Sequence, residues 1–177
     1  MNLQSSDFEL FGLPVRFAQA RPEIDQRWKD LQREMHPDRF VAQGAAAQRL
    51  AMQWSVRINE AYQRLKDPLK RAAYLCELRG AAVNAENNTA MPTSFLMQQI
   101  AWREALDDAA STTDFDALEQ QIQDSRRMAL QACATLLDEQ ADAAGAVQQV
   151  RALMFIERFS ADLQARQDRF EAAQRGQ

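Results

Sequence analysis

A helical pattern that stops at His36-Pro37-Asp38 constrains this chain more than any other feature. From Pro22 to Met35 the apolar residues Ile24, Trp28, Leu31 and Met35 follow at steps of four, three and four, the spacing that lines up one face of an amphipathic helix. Pro37 closes that helix, because proline disfavours the α conformation of its predecessor and has no N–H to extend the ladder. Taken alone, the triplet is helix punctuation with two solvated polar residues. It also holds the only histidine among 177 residues. A second long pattern follows: from about Ala45 to Leu65, the residues Leu50, Trp54, Ile58, Ala61 and Leu65 recur at steps of four, four, three and four. Two long consecutive helices pack most economically as an antiparallel hairpin, with Pro37 to Gly44 as the connection at its tip.

The rest of the chain continues in helical spacing. A short helix is expected over Asp7 to Leu13, anchored by Phe8, Leu10, Phe11 and Leu13, with Asp7 near its positive end. Another begins after Asp67-Pro68 and runs to about Arg79, offering Ala72, Leu75, Cys76 and Leu78 for packing. From Gly80 to Met91 the period is lost, and Pro92 suits the first turn of a new helix. Three longer helices then follow. The first covers Pro92 to Ala109. The second is capped by Thr113 or Asp114, with Phe115, Leu118, Ile122, Ser125, Ala129, Ala132 and Leu136 as its seam. The third covers about Ala144 to Ala173, with Leu153, Ile156, Phe159, Leu163 and Phe170 facing the core and Gly145 near its start. Five glycines and five prolines are too few for a turn-dense β fold. The expected architecture is all-α: a helical hairpin with short flanking helices over 1–80, a linker over 81–91, and a three-helix bundle over 92–177.

Several function classes are excluded by what the chain lacks. Cys76 and Cys133 stand far apart with no Cys-x-x-Cys pair, so they read as small core residues rather than zinc or iron–sulfur ligands. One histidine, without a nucleophile elbow or a phosphate-binding glycine loop, argues against the common enzyme classes. No apolar run is long enough to cross a bilayer, and Met1 to Asp7 lacks the basic and apolar stretches of a secretory signal, so a cytoplasmic location is expected. No metal or cofactor is implied.

Charge divides the chain in two. Residues 1–80 carry 13 Lys and Arg against 10 Asp and Glu, and residues 81–177 carry 8 against 15. The first excess is too small for a nucleic-acid binder, and the opposite signs point to different protein partners for the two halves.

The helix from Pro92 to Ala109 has more apolar surface than one face can use. Phe95, Trp102, Leu106 and Ala109 share a sector. Leu96, Met97 and Ile100 lie about 100°, 200° and 140° from Phe95 at about 100° per residue, among Arg103, Glu104 and Asp107. This second stripe either packs on the N-terminal half or stays exposed as a charge-fringed docking patch, which Phe155 would extend if the first and last helices are neighbours.

The basic helix, His36-Pro37-Asp38, the return helix and Ile58-Asn59-Glu60-Ala61-Tyr62-Gln63-Arg64-Leu65-Lys66-Asp67-Pro68, continued by Arg71 and Tyr74, resemble a J-domain. With the acidic bundle and Phe95-Leu96-Met97-Gln98-Gln99-Ile100, Arg103-Glu104 and Leu106-Asp107, the whole chain resembles the HscB family, J-type co-chaperones of iron–sulfur cluster biogenesis. That resemblance implies a protein that is not itself an enzyme. It would stimulate ATP hydrolysis by a specialised DnaK-type chaperone, HscA, and deliver the cluster scaffold IscU to it. It assigns His36, Pro37 and Asp38 to the chaperone, with Asp38 accepting an arginine of the ATPase domain and Arg27, Lys29 and Arg33 facing an acidic groove. It assigns Leu96, Met97, Ile100, Arg103, Glu104 and Phe155 to the scaffold. Phe8 stands where many J-domains have tyrosine, and Gln98 and Ala101 are neutral on a face that is often more acidic. Two rival readings are a general J-protein that holds unfolded clients on the apolar patch, and a bundle that dimerises through Leu96, Met97 and Ile100.

Overall fold

Ser6 starts the first helix, α1 (Asp7–Phe11), through a reciprocal cap: its hydroxyl accepts from the Glu9 N–H at 3.2 Å, and the Glu9 carboxylate accepts from the Ser6 N–H at 2.9 Å. Gly12, at φ 61°, ends it in the left-handed conformation, so the helix is shorter than the spacing suggested. Phe8, Leu10, Phe11 and Leu13 are nonetheless all buried. A computed structural model of the chain describes residues 2–83 and 92–175. Within them follow α2 (Arg21–Glu34), a 3-10 stretch (Pro37–Gln43), α3 (Ala45–Lys66), α4 (Pro68–Leu78), α5 (Thr93–Asp108), α6 (Thr112–Ala134), a π turn (Thr135–Glu139) and α7 (Ala143–Arg175). No strand occurs among the described residues, and the fold is all-α as the spacing predicts.

The hairpin of α2 and α3 is tied along its length. Asn59 Oδ1 accepts from Trp28 Nε1 at 2.9 Å and from Gln32 Nε2 at 2.8 Å. Ala61 is fully buried, and Tyr62 stacks on Trp28 at 4.7 Å while its hydroxyl donates to Asp25 at 2.9 Å. The Asn-Glu-Ala-Tyr stretch is therefore the adhesive of the hairpin, a bridging amide beside a small residue and an aromatic. Asp67 caps α4 by accepting from Leu69 and Lys70, with Pro68 in the first turn. Two apolar anchors are placed differently from the sequence reading. Leu50 is exposed and Ala51 takes its place, because steps of four drift by about 40° on a helix of 3.6 residues per turn. Leu78 ends α4 facing solvent.

Beneath the hairpin, Asp7 is fully buried with its carboxylate 2.6 Å from Arg57 and 3.1 Å from Arg64. Its N–H donates to the Tyr74 hydroxyl at 2.9 Å, and Phe8 stacks on the same ring. Asp7 thus joins α1 to α3 and α4 instead of merely complementing a helix end.

In the bundle, Ser111 rather than Thr113 or Asp114 caps α6. Its hydroxyl accepts from the Asp114 N–H, and Asp114 closes the box by accepting from the Ser111 N–H at 2.9 Å. Ser111 is the residue before the first helical one, where a side-chain oxygen reaches the third N–H; Asp114 serves as the return partner, its carboxyl held below the ordinary range first by the Ser111 hydroxyl. The seam of α6 runs through Phe115, Leu118, Ile122, Ser125 and Ala129, then passes to Cys133 and Leu137, leaving Ala132 and Leu136 half-buried. At that end α6 is covered by α4 as well as α7, so the buried sector turns. Asp142 caps α7 by accepting from the Gly145 N–H at 2.8 Å, and Leu153, Ile156, Phe159 and Leu163 are buried while Phe170 packs half-buried on Phe115.

Two buried clusters result. Trp102 and Ala109 join Phe115, Leu118, Ile122, Ile156, Phe159 and Leu163 inside the bundle. The larger cluster runs without a break from Phe8, Ile24, Ile58 and Leu75 of the hairpin half into Cys133 of α6, Leu137 of the π turn, and Val147 and Val150 of α7. Both cysteines are fully buried in it, as small core residues; burial pushes the Cys76 thiol up to about 11 and the Cys133 thiol, burial first and Cys76 second, up to about 12. The linker expected over 81–91 lies mostly outside the described residues; of it, Ala81 and Val83 pack against this larger cluster.

Candidate functional site

Two surfaces stand out, one on each half. At the hairpin tip, His36 is the cap of the 3-10 stretch that Pro37 opens: its Nδ1 accepts from the Asp38 N–H at 3.3 Å, and the Asp38 carboxylate lies 3.6 Å away. Arg39 donates to the Arg33 carbonyl at 3.1 Å, and the Ser55 hydroxyl donates to the Met35 carbonyl at 3.2 Å, so the end of α2 is bound to both the tip and α3. The tip is thus a built turn rather than a loop. It holds the Asp38 side chain, 83% exposed, pointing to solvent.

The three cations assigned to α2 are all exposed, but they do not form one patch. Lys29 and Arg33, about 40° apart around the helix, face away from α3. Arg27 sits on a flank, about 160° from Lys29. Arg33 also pairs with Asp30 at 3.2 Å, an exposed contact worth little.

On α5, Trp102 faces the core and Phe95 and Leu106 pack half-buried beside it. Leu96, Met97 and Ile100 are exposed at 41%, 62% and 51%, so the stripe is not spent on the hairpin half. Arg103 and Glu104 are exposed next to it. Phe155 of α7 is half-buried: it meets Phe95 at 5.7 Å, Trp102 at 6.3 Å and Phe159 at 5.8 Å. It therefore joins α7 to α5 through their aromatic residues.

The sequence reading missed a groove of about 330 Å³ between α5 and α7, with Leu106 and Phe159 at its floor and Arg103, Asp107 and Asp162 around it. Asp162 could be added only once α5 and α7 were known to be neighbours; no short-range signal marks it. A second exposed pair, Met52 and Val56 on α3, was also missed, and lines a groove of about 480 Å³ with Arg49, Gln53, Arg57 and Glu60. Its signal is legible as an i, i+4 apolar pair off the Trp54 face. No group of residues suited to a metal ion occurs among the described residues, and no helix among them is long and apolar enough to cross a membrane.

Residues 91–164 match the family model described as the HSCB C-terminal oligomerisation domain. A co-chaperone protein HscB homolog of Burkholderia mallei is 51% identical over 97% of this chain and 99% of its own length, and one of Burkholderia multivorans is 48% identical over the same shares. Among solved structures, chaperone HscB from Vibrio cholerae superposes with a TM-score of 0.80 at 30% identity, covering 94% of this chain and 99% of that one. Human co-chaperone HscB superposes with a TM-score of 0.88 at 21% identity over 94% and 84%, a likeness of fold.

Proposed function

The chain belongs to the HscB co-chaperone family, and from that premise we propose that it stimulates ATP hydrolysis by the DnaK-type chaperone HscA and delivers the iron–sulfur cluster scaffold IscU to it, in the cytoplasm. Its relatives are named co-chaperones, so the reading is one of coupling rather than catalysis. Asp38 offers an acceptor to a cation of the ATPase domain, flanked by His36 and Pro37, which hold the turn. Lys29 and Arg33 supply one positive face and Arg27 a separate flank. Leu96, Met97 and Ile100, with Phe155, Arg103 and Glu104, take the scaffold. A protein that binds both raises the scaffold's effective concentration at the chaperone without a new contact between them.

The observation that carries this reading is the exposure of three large apolar side chains on α5, in a helix whose core face is already complete with Trp102. Single-turnover hydrolysis by HscA, with and without IscU, tests it. Acceleration is expected with the wild-type chain, more with IscU present, and His36→Gln should lose it while the circular dichroism and melting profile stay unchanged. Intact stimulation by a folded His36→Gln variant would overturn the assignment of the triplet.

One second reading has its own support: the matched family description names oligomerisation, and the same stripe could meet a second copy. Sedimentation of Leu96→Ser and Ile100→Ser variants separates the two. Loss of a dimer with scaffold affinity intact would favour self-association.

A further inference from the structure

We propose that Asp138 is a positioning residue: its carboxylate latches the J-domain onto the bundle and fixes the angle at which the two binding surfaces are presented. One carboxylate oxygen accepts from the Phe17 N–H at 2.7 Å and the other from the Ala18 N–H at 2.8 Å. Both N–H groups belong to the segment between α1 and α2, outside any helix that could use them. Asp138 reaches them from the π turn after α6, on the other half of the molecule.

The clasp is two-sided. The Phe17 carbonyl accepts from Arg71 Nε at 2.8 Å, and Arg71 is itself buried and donates to the Leu65 carbonyl. Arg79, at the end of α4, donates to the Leu137 carbonyl beside Asp138. Apolar burial between the halves brings them together but is non-directional. A carboxylate that accepts from two successive backbone N–H groups is directional: rotation about the seam breaks both bonds at once. The seam supplies proximity and Asp138 supplies the angle.

This inference rests on the adaptor reading, since an angle matters only if both surfaces are used together. The test therefore has an arm that needs no activity. Labels on Gln43→Cys and Gln164→Cys, both exposed positions, report the distance between the hairpin tip and the bundle, and the buried Cys76 and Cys133 stay unlabelled. In Asp138→Ala the distance distribution should broaden, and in Arg79→Ala, a second and exposed point of the clasp, it should broaden less. A distribution unchanged in both variants overturns the latch. In the functional arm, scaffold affinity and scaffold-independent ATPase stimulation should stay within about twofold while the extra stimulation produced by the scaffold falls by about tenfold or more. Unchanged synergy overturns the positioning role, as does parallel loss of all three activities, the mark of a damaged fold. If the wild-type chain shows no scaffold-dependent gain, the adaptor reading fails and the distance arm alone decides the latch. Asp138→Asn, which keeps one acceptor oxygen, should fall between wild type and Asp138→Ala in both arms.

Discussion

Phe155 of α7 meets Phe95 of α5 edge-on, with ring centroids 5.7 Å apart and planes at 86°. The same ring stacks on Trp102 and Phe159, so it packs on the bundle core while also belonging to the proposed scaffold surface. Phe155→Ala should therefore lower stability by about 1 to 3 kcal/mol, less than a fully buried ring because Phe155 is half-exposed, and weaken scaffold binding as well. Ile100→Ser, on an exposed side chain, should cut scaffold affinity by about tenfold and leave the urea midpoint where it was. Calorimetric titration beside urea unfolding reads both; equal effects of the two variants on stability would contradict the packing role.

Asp7 is fully buried, with Arg57 2.6 Å and Arg64 3.1 Å from its carboxylate. Asp7→Asn leaves two guanidinium groups facing a neutral amide and should cost about 3 kcal/mol or more in urea unfolding. A double-mutant cycle with Arg57→Met isolates the pair, and coupling below about 0.5 kcal/mol would show that burial, not the ion pair, sets the value.

Ala141 stands at φ 54° after the π turn, a left-handed conformation that a Cβ disfavours. Glycine there removes that penalty but adds freedom to the unfolded chain. Ala141→Gly should stabilise the protein by a net of about 0.5 to 1 kcal/mol, read as a higher midpoint in thermal unfolding.

Glu157 on α7 has its carboxyl raised above the usual glutamate value, by burial first and by Asp67 second, against the opposing pull of Arg126 and Lys70. A raised carboxyl favours the folded state while protonated, and that contribution is lost as pH rises from the unfolded value through the folded one. Glu157→Gln should match the wild type in stability below the usual carboxylate range and become the more stable of the two above it. Urea midpoints across that range check the crossover, and parallel curves at all pH values would show that Glu157 feels no net penalty.

Much of the fold and part of the site are legible in the sequence. The helices follow from apolar steps of three and four, and the tip from Pro37. The surplus on α5 is legible because Leu96, Met97 and Ile100 lie off the Trp102 face, a matter of geometry within one helix. The reading fails where two elements compete for one surface. Leu50 and Leu78 have core spacing but no helix over them, and the α6 seam passes from Ala132 to Cys133 because α4 covers that end along with α7.

The sequence by itself determined the all-α class, the hairpin with His36-Pro37-Asp38 at its end, and the apolar residues of α5 that its own core face cannot use, because each depends on periodicity or on one proline. Tertiary structure alone decided that this stripe is left open, that Phe155 packs on Phe95 and Trp102, and that Asp138 holds Phe17 and Ala18. Those relations join residues far apart in the chain through burial and hydrogen bonds that no local pattern encodes.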